Sequence, residues 1–243
     1  MLGSDTVQIR TRLPAPEANF QNDQPVQMDF LHEAMTHKDR GELPPWAKCI
    51  MLYSLFGQSI LNQRLAMSET TSSGNDSRKS WSKYTWLALG IEKRKGSLIH
   101  SPPGSLDIVD HPMLNFAGAL AACAATHIYH CMAQSAFWST PEDENIVPPY
   151  KEQAIQAACE LVRFIEFMPR PISCFKAHPF LPTLIYRAAH FLIGLSRASS
   201  PPMTTSCNRE GDIGILLGAL RDLEQVNNLS RILLSKLEKQ VPT

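Results

Sequence analysis

The chain has 243 residues, 44% of them hydrophobic and 19% charged, which suits one large globular domain or two small ones with a sizeable core. Its 23 Lys and Arg balance 23 Asp and Glu, and that zero formal charge argues against tight DNA contact by this chain alone, because neutralising phosphates takes clustered excess cations. The most apolar run, Pro112 to Met132, is interrupted by Asn115, Thr126, His127, Tyr129 and His130; it fails as the ~20-residue apolar stretch a membrane helix needs.

Taken in chain order, Met1-Leu2-Gly3-Ser4-Asp5 is not a secretory signal, because no basic segment leads into an apolar core. Residues 1–43 read as an extended lead-in and linker, polar from Ile9 to Asp29 and punctuated by Pro14, Pro16 and Pro25. The remainder, 44–243, reads as a helical domain. Pro44-Pro45 opens a first strong helix running to about Met67, since proline suits a first turn whose N–H groups lack partners anyway. Trp46, Ile50, Tyr53, Phe56, Ile60 and Arg64 recur at three- and four-residue steps and predict one buried stripe. Ser68 to Ser77 is a polar loop. Trp81, Tyr84, Thr85, Ala88 and Leu89 trace a second helix ending near Gly96, with Lys93, Arg94 and Lys95 placed to meet its C-terminal dipole.

Ser101-Pro102-Pro103-Gly104 breaks the chain. After His111-Pro112 a long helix carries Leu114, Ala117, Leu120, Ala121, Ala124, Ile128 and Cys131, and its small residues Gly118, Ala121, Ala122 and Ala125 would let a neighbour approach closely. Thr140-Pro141-Glu142-Asp143 offers a cap before a helix of about Pro149 to Met168 with Ala154, Ala158, Leu161, Ile165 and Met168 on one face. Phe180 to Arg197 aligns Leu184, Ala188, Phe191, Leu192 and Leu195. After a loop at Ser199 to Asn208, Asp212 to Lys239 closes the chain with Leu216, Leu220, Leu223, Leu233 and Leu237, bent or divided at Asn227-Asn228. The pattern predicts an all-α, irregular multi-helix bundle of about six to seven helices.

No reactive centre is nominated. The six cysteines, Cys49, Cys123, Cys131, Cys159, Cys174 and Cys207, sit in helical patterns and suit buried thiols in a reducing compartment, nucleus or cytosol. No Cys-x2-Cys occurs, so a six-cysteine binuclear zinc cluster is absent. His127 and His130 stand three apart on one helix without the Glu of a His-Glu-x-x-His motif, so they read as core or groove histidines rather than metal ligands. His32 and His37 fall on different helical faces. Gly-x-Ser-x-Gly, phosphate-loop, Gly-x-Gly-x-x-Gly and Asp-Asp-x-x-Asp motifs are all missing. Glu142-Asp143-Glu144 reads as a solvated run, and Cys159 and Cys174 lack basic neighbours to activate them. The expectation is a non-enzyme with no catalytic, cofactor-binding or metal residues and no cofactor.

Four stretches together resemble a family. Ile9 to Phe20, containing Leu13-Pro-Ala-Pro-Glu-Ala-Asn-Phe20, is similar to the Leu-Pro-x-x-Glu-x-x-Phe segment in the middle homology region of fungal zinc-cluster transcription factors. Pro44 to Arg64, with Leu52-Tyr-Ser-Leu-Phe-Gly57, resembles the helix that follows it. Gly118-Ala-Leu-Ala-Ala-Cys-Ala-Ala-Thr-His-Ile-Tyr-His130 looks like the family's long central helix. His178-Pro-Phe180, Ile185-Tyr-Arg-Ala-Ala-His190 and Leu216 to Leu237 resemble its last two helices. The resemblance follows order and spacing along nearly the whole chain and covers the C-terminal half of that regulatory region, without the zinc cluster, linker or coiled coil. It implies a transcription regulator, or a truncated relative of one, working in the nucleus through protein partners and controlling a fungal specialised-metabolite gene cluster. It also allows a small metabolite in a helical cavity. The alternative is a helical small-molecule-binding module with no transcriptional role, lined by Trp46, Tyr53, Trp81, Tyr129 and His130.

Overall fold

The computed structural model describes residues 11–36, 43–68, 75–99, 112–134, 147–168, 177–197 and 209–240. These residues form nine helices and no strand: α1 (Glu17–Gln21), α2 (Leu31–Thr36), α3 (Pro45–Ser68), α4 (Asn75–Ile99), α5 (Pro112–Met132), α6 (Val147–Glu166), α7 (Leu181–Arg197), α8 (Arg209–Glu224) and α9 (Asn228–Glu238). The all-α expectation holds. The helix count exceeds the expected six to seven because two short helices lie inside the proline-rich lead-in and because the last helix is divided. None of the described helices is long and apolar enough to cross a membrane.

α5 is the axle of the molecule. It packs most extensively against α6 and also touches α3, α4 and α7, while α7, α8 and α9 form a second group joined to it through α6 and α7. From Phe116 to Thr126 every residue of α5 is buried, so the helix is apolar all round, as a fully enclosed helix must be. Close approach is bought with small side chains: a Cβ built on Gly118 would lie 2.6 Å from Cε1 and Cζ of Phe164 on α6. The expectation that the small residues of this helix admit a neighbour is met at that contact.

On α3 the buried face only partly follows the predicted stripe, keeping Phe56 with Tyr53 and Ile60 against the core. Trp46 and Ile50 are 47% and 38% exposed and Arg64 is exposed, whereas Ala47, Met51, Leu52, Leu55 and Phe56 form the core with Ser59 and Asn62. On α4, Thr85 is exposed and Leu89 is 68% exposed, while Tyr84, Leu87, Ile91 and Leu98 are buried. The cause is composition. Both helices carry apolar residues on several sides, so more than one stripe fits a helical period and only tertiary packing chooses among them. α4 also begins inside the segment expected as loop and runs past Gly96. Its cations therefore act in tertiary contacts. Arg94 Nη2 donates to Ala34 O at 3.2 Å, and Lys95 forms an ion pair with Glu160 of α6.

The lead-in is folded back on the domain. Leu13 N donates to Asp29 O at 2.9 Å, Arg12 donates to Met28 O at 2.6 Å, and the Arg12 guanidinium lies 4.6 Å from the Phe30 ring centroid. This clasp seats Leu13 in a small separate cluster with Ala47 and Met51, flanked by Met28, Leu31 and Met35. At the other end Asn227 divides α8 from α9. Its extended backbone ends the run, its side chain accepts from Leu229 N at 2.9 Å as an N-cap, and its Nδ2 donates to Pro179 O at 3.3 Å. The expected break at Asn227-Asn228 is thus a cap that also ties α9 to the entry of α7.

Cys159 corrects the expectation of thiols throughout. It is disulfide-bonded, whereas Cys49, Cys123 and Cys131 are free and buried. A helix-face cysteine looks like a core thiol in sequence, and nothing in the spacing marks this one as bonded. The Ser101–Gly104 break, the Thr140–Asp143 cap, Glu144, the Ser199–Asn208 loop, Cys174 and Cys207 lie outside the described residues.

Candidate functional site: a histidine-lined cavity between α5 and α7

His127 and His130 lie one helical turn apart on α5, and α7 brings Arg187 and His190, also three apart, to face them. Between the two helices is a cavity of about 260 Å³. Cys123 and Thr126 complete the α5 wall, and Tyr186, Ala188 and Phe191 complete the α7 wall. Ring contacts set the histidines: His127 meets Phe56 edge-on at 5.7 Å and His130 meets Phe191 edge-on at 5.1 Å. Thr126 spends its hydroxyl hydrogen on Ala122 O at 2.9 Å, leaving the oxygen as an acceptor.

The charge pattern of this cavity is one-sided. Burial, reinforced by the Arg187 charge and then by His130, lowers His127 to about 4, so its ring is neutral at pH 7. Burial, then His190, lowers His130 as well. The same arginine opposes the burial that pushes Cys123 up to about 12. Arg187 is therefore the fixed positive charge felt across the cavity, and no lining residue is acidic. Its guanidinium carbon stands 5.1 Å from the Phe56 ring centroid, a cation–π contact. Among the described residues no carboxylate pairs with it.

A polar seam runs behind the cavity. Cys131 Sγ lies 3.9 Å from His127 Nε2, and Cys131 and Asn62 lie near the buried Tyr84 hydroxyl. Side chains from α3, α4 and α5 are thereby linked to the wall that faces α7. Buried polar groups of this kind cost stability unless paired, so the seam is a built feature.

The other aromatic residues proposed as pocket-lining do not converge here. Trp46 and Tyr53 belong to a cluster around His178, which stacks on Phe116 at 3.8 Å. Trp81 packs edge-on against Tyr150 at 5.3 Å, and Tyr129 donates to Glu92 at 3.0 Å. Of the five, only His130 lines the α5–α7 cavity. Spacing could not reveal Arg187 and His190 as its partners, because they lie some sixty residues further along the chain and meet α5 only through folding. A second hollow of about 280 Å³ lies between α5 and α6, walled by Leu98, Leu114, Gly118, Phe164 and Phe167 with Lys95, Glu160 and Arg163 at its edge. Among the described residues no group of three or more His, Cys, Asp or Glu is arranged to hold a metal ion.

Comparison with known proteins gives the chain its relatives. It is 36% identical over 97% of its length to a transcription factor of Aspergillus terreus. It is 36% identical over 96% of its length to the sorbicillinoid biosynthetic cluster transcription factor 1 of Penicillium rubens, and 31% identical over 95% to a pigment biosynthesis transcriptional activator of Monascus ruber. The chain spans 36%, 38% and 40% of the lengths of these three proteins. No family model matches it, and no solved structure does. The chain is thus homologous, over nearly all its residues, to little more than a third of fungal biosynthetic-cluster transcription factors, in agreement with the resemblance drawn from its four segments.

Proposed function

We propose, from this kinship with part of fungal cluster transcription factors, that the chain is a helical regulatory domain that controls a specialised-metabolite gene cluster through protein contacts in the nucleus. The observation that carries the reading is the 36% identity sustained over 97% of the chain to a transcription factor. Two features support contact with other proteins. The chain is electrically balanced, so it holds no excess charge for phosphate. Its α3–α4 hairpin also carries exposed apolar side chains, Leu61 and Leu65 on α3 and Trp86 and Leu89 on α4, and exposed apolar surface is the usual mark of a partner site. The domain acts as a regulator and not as an enzyme. Nothing in the α5–α7 cavity pairs a nucleophile with an activating base, since its thiol at Cys123 is held protonated by burial.

The test is a transcript profile of a deletion strain, beside a gel-shift with the purified chain. Deletion is expected to change transcripts of one contiguous biosynthetic cluster, and the chain alone is expected to give no sequence-specific shift. An unchanged profile, or tight specific DNA binding by the chain by itself, contradicts the proposal. A second reading, a small-molecule-binding module, is favoured by one observation, the α5–α7 cavity with an arginine that has no carboxylate partner among the described residues.

A further inference from the structure

We infer that the α5–α7 cavity is a binding site for a small aromatic carboxylate, with the Arg187 guanidinium receiving the carboxylate and the Phe191 and Tyr186 rings receiving the flat apolar body. The inference goes beyond the regulatory reading and stands without it. Three observations converge. First, Arg187 carries a permanent charge, is half-buried and has no carboxylate partner among the described residues. A guanidinium drawn out of water is costly unless an anion meets it, and its fork of donors matches a carboxylate in two parallel bonds. Secondly, apart from the Thr126 oxygen, whose hydrogen is committed to Ala122 O, the surrounding polar groups suit an anion. His127, His130 and His190 each have a ring nitrogen able to donate, and no acidic side chain lines the space. Thirdly, the rest of the wall is apolar or aromatic: Cys123, Ala188, Phe191 and Tyr186. A bare inorganic anion leaves that surface uncovered. At about 260 Å³ the space falls just below the usual range of ligand pockets, roughly 300–1,000 Å³, so the ligand is of one-ring size.

The contrast with the α5–α6 hollow sharpens the assignment. There Lys95 is already paired with Glu160 and Arg163 is exposed to solvent, so no half-buried cation is left waiting. In the α5–α7 cavity His127 is seated between Cys131 Sγ at 3.9 Å and the Phe56 ring.

The experiment is calorimetric titration of the full chain with benzoate, benzamide and inorganic phosphate, with the histidine ring resonances followed by NMR. Benzoate is expected to bind saturably at one site and to shift the His127 and His130 rings. Benzamide, of the same shape without the charge, is expected to bind at least about tenfold more weakly, the scale of a charge-assisted hydrogen-bonded pair. Phosphate is expected to bind more weakly than benzoate. Arg187→Met is expected to weaken benzoate by about tenfold or more and leave benzamide unchanged. Should that variant fail to fold, the benzoate-to-benzamide ratio in the unaltered chain decides the matter by itself. Equal binding of benzoate and benzamide overturns the inference. So does phosphate binding more tightly than benzoate, benzoate binding that leaves both histidine rings unmoved, or no saturable benzoate binding.

Discussion

Two cavities of nearly equal volume lie on opposite faces of α5, and they differ in almost everything but size. The hollow toward α6 is walled by leucine and phenylalanine side chains, with Lys95 paired to Glu160 and an exposed Arg163 beside them. The one toward α7 is walled by histidines and holds an arginine that pairs with no carboxylate among the described residues. One helix makes both, because Leu114 and Gly118 point half a turn away from Cys123, His127 and His130. Volume alone therefore says little about purpose. The apolar hollow is a packing residue of large side chains meeting small ones, while the polar cavity maintains groups that cost stability and so need another reason to be there.

That contrast can be broken or sharpened by experiment. The largest effect belongs to the core that both cavities share. Leu120 is fully buried on α5 and lines neither space, so Leu120→Ala is expected to cost about 2–5 kcal/mol in chemical denaturation; a loss under ~1 kcal/mol would undo the view of α5 as the enclosed centre. Next comes pH. With His127 at about 4 in the fold and near its ordinary value of about 6.5 when unfolded, the unfolded chain binds the extra proton between those values. Stability is therefore full above pH ~6.5, falls as the pH drops toward ~4, and loses on the order of 3 kcal/mol from this group. Urea midpoints across that window measure it, and His127→Phe is expected to flatten the slope. If the slope survives that change, His127 is not its source.

The apolar face gives a smaller and conditional effect. Gly118→Ala places a Cβ against the far edge of the Phe164 ring, and the ring can swing into the adjoining hollow. The ~1 kcal/mol that Ala gains over Gly in a helix then leaves the change near neutral. Gly118→Leu exceeds that room and is expected to cost about 1–3 kcal/mol, part of which Phe164→Ala restores in a double-mutant cycle. Smallest is Asn227→Ala. It removes an N-cap far from both cavities and is expected to lower the melting temperature by the equivalent of about 1 kcal/mol while leaving ligand titrations unchanged.

Much of the fold is legible in the sequence, and its exceptions have a common cause. Prolines and asparagines punctuate the chain clearly enough that α3, α5, α7 and the division of α8 from α9 are bounded to within a few residues. Faces are legible only where the apolar residues keep to one side, as in α7 and α9. On α3 the apolar residues occur all round, and the true core face includes Ser59 and Asn62, so no pattern of hydropathy selects it. The short helices α1 and α2 escape notice because Pro14, Pro16 and Pro25 dominate the local signal, although proline is tolerated just before a helix, where Pro16 stands. Half of the candidate site is legible: His127 and His130 can be seen to share a helix face. Arg187 and His190 make the same three-residue step on α7, but only the packing of α7 on α5 shows that the two steps face one another.

The central place of α5 has a consequence for how the molecule is made. The ribosome releases α3 and α4 well before α5, yet Leu52, Leu55, Tyr84 and Leu87 share one hydrophobic cluster with the side chains of α5. A nascent chain carrying only the first two long helices holds that oily surface open to solvent, in the state where unfinished domains stick to one another. Translation speed through residues 100–132, and the chaperones waiting at the exit tunnel, thus bear directly on how much of this protein reaches its native form.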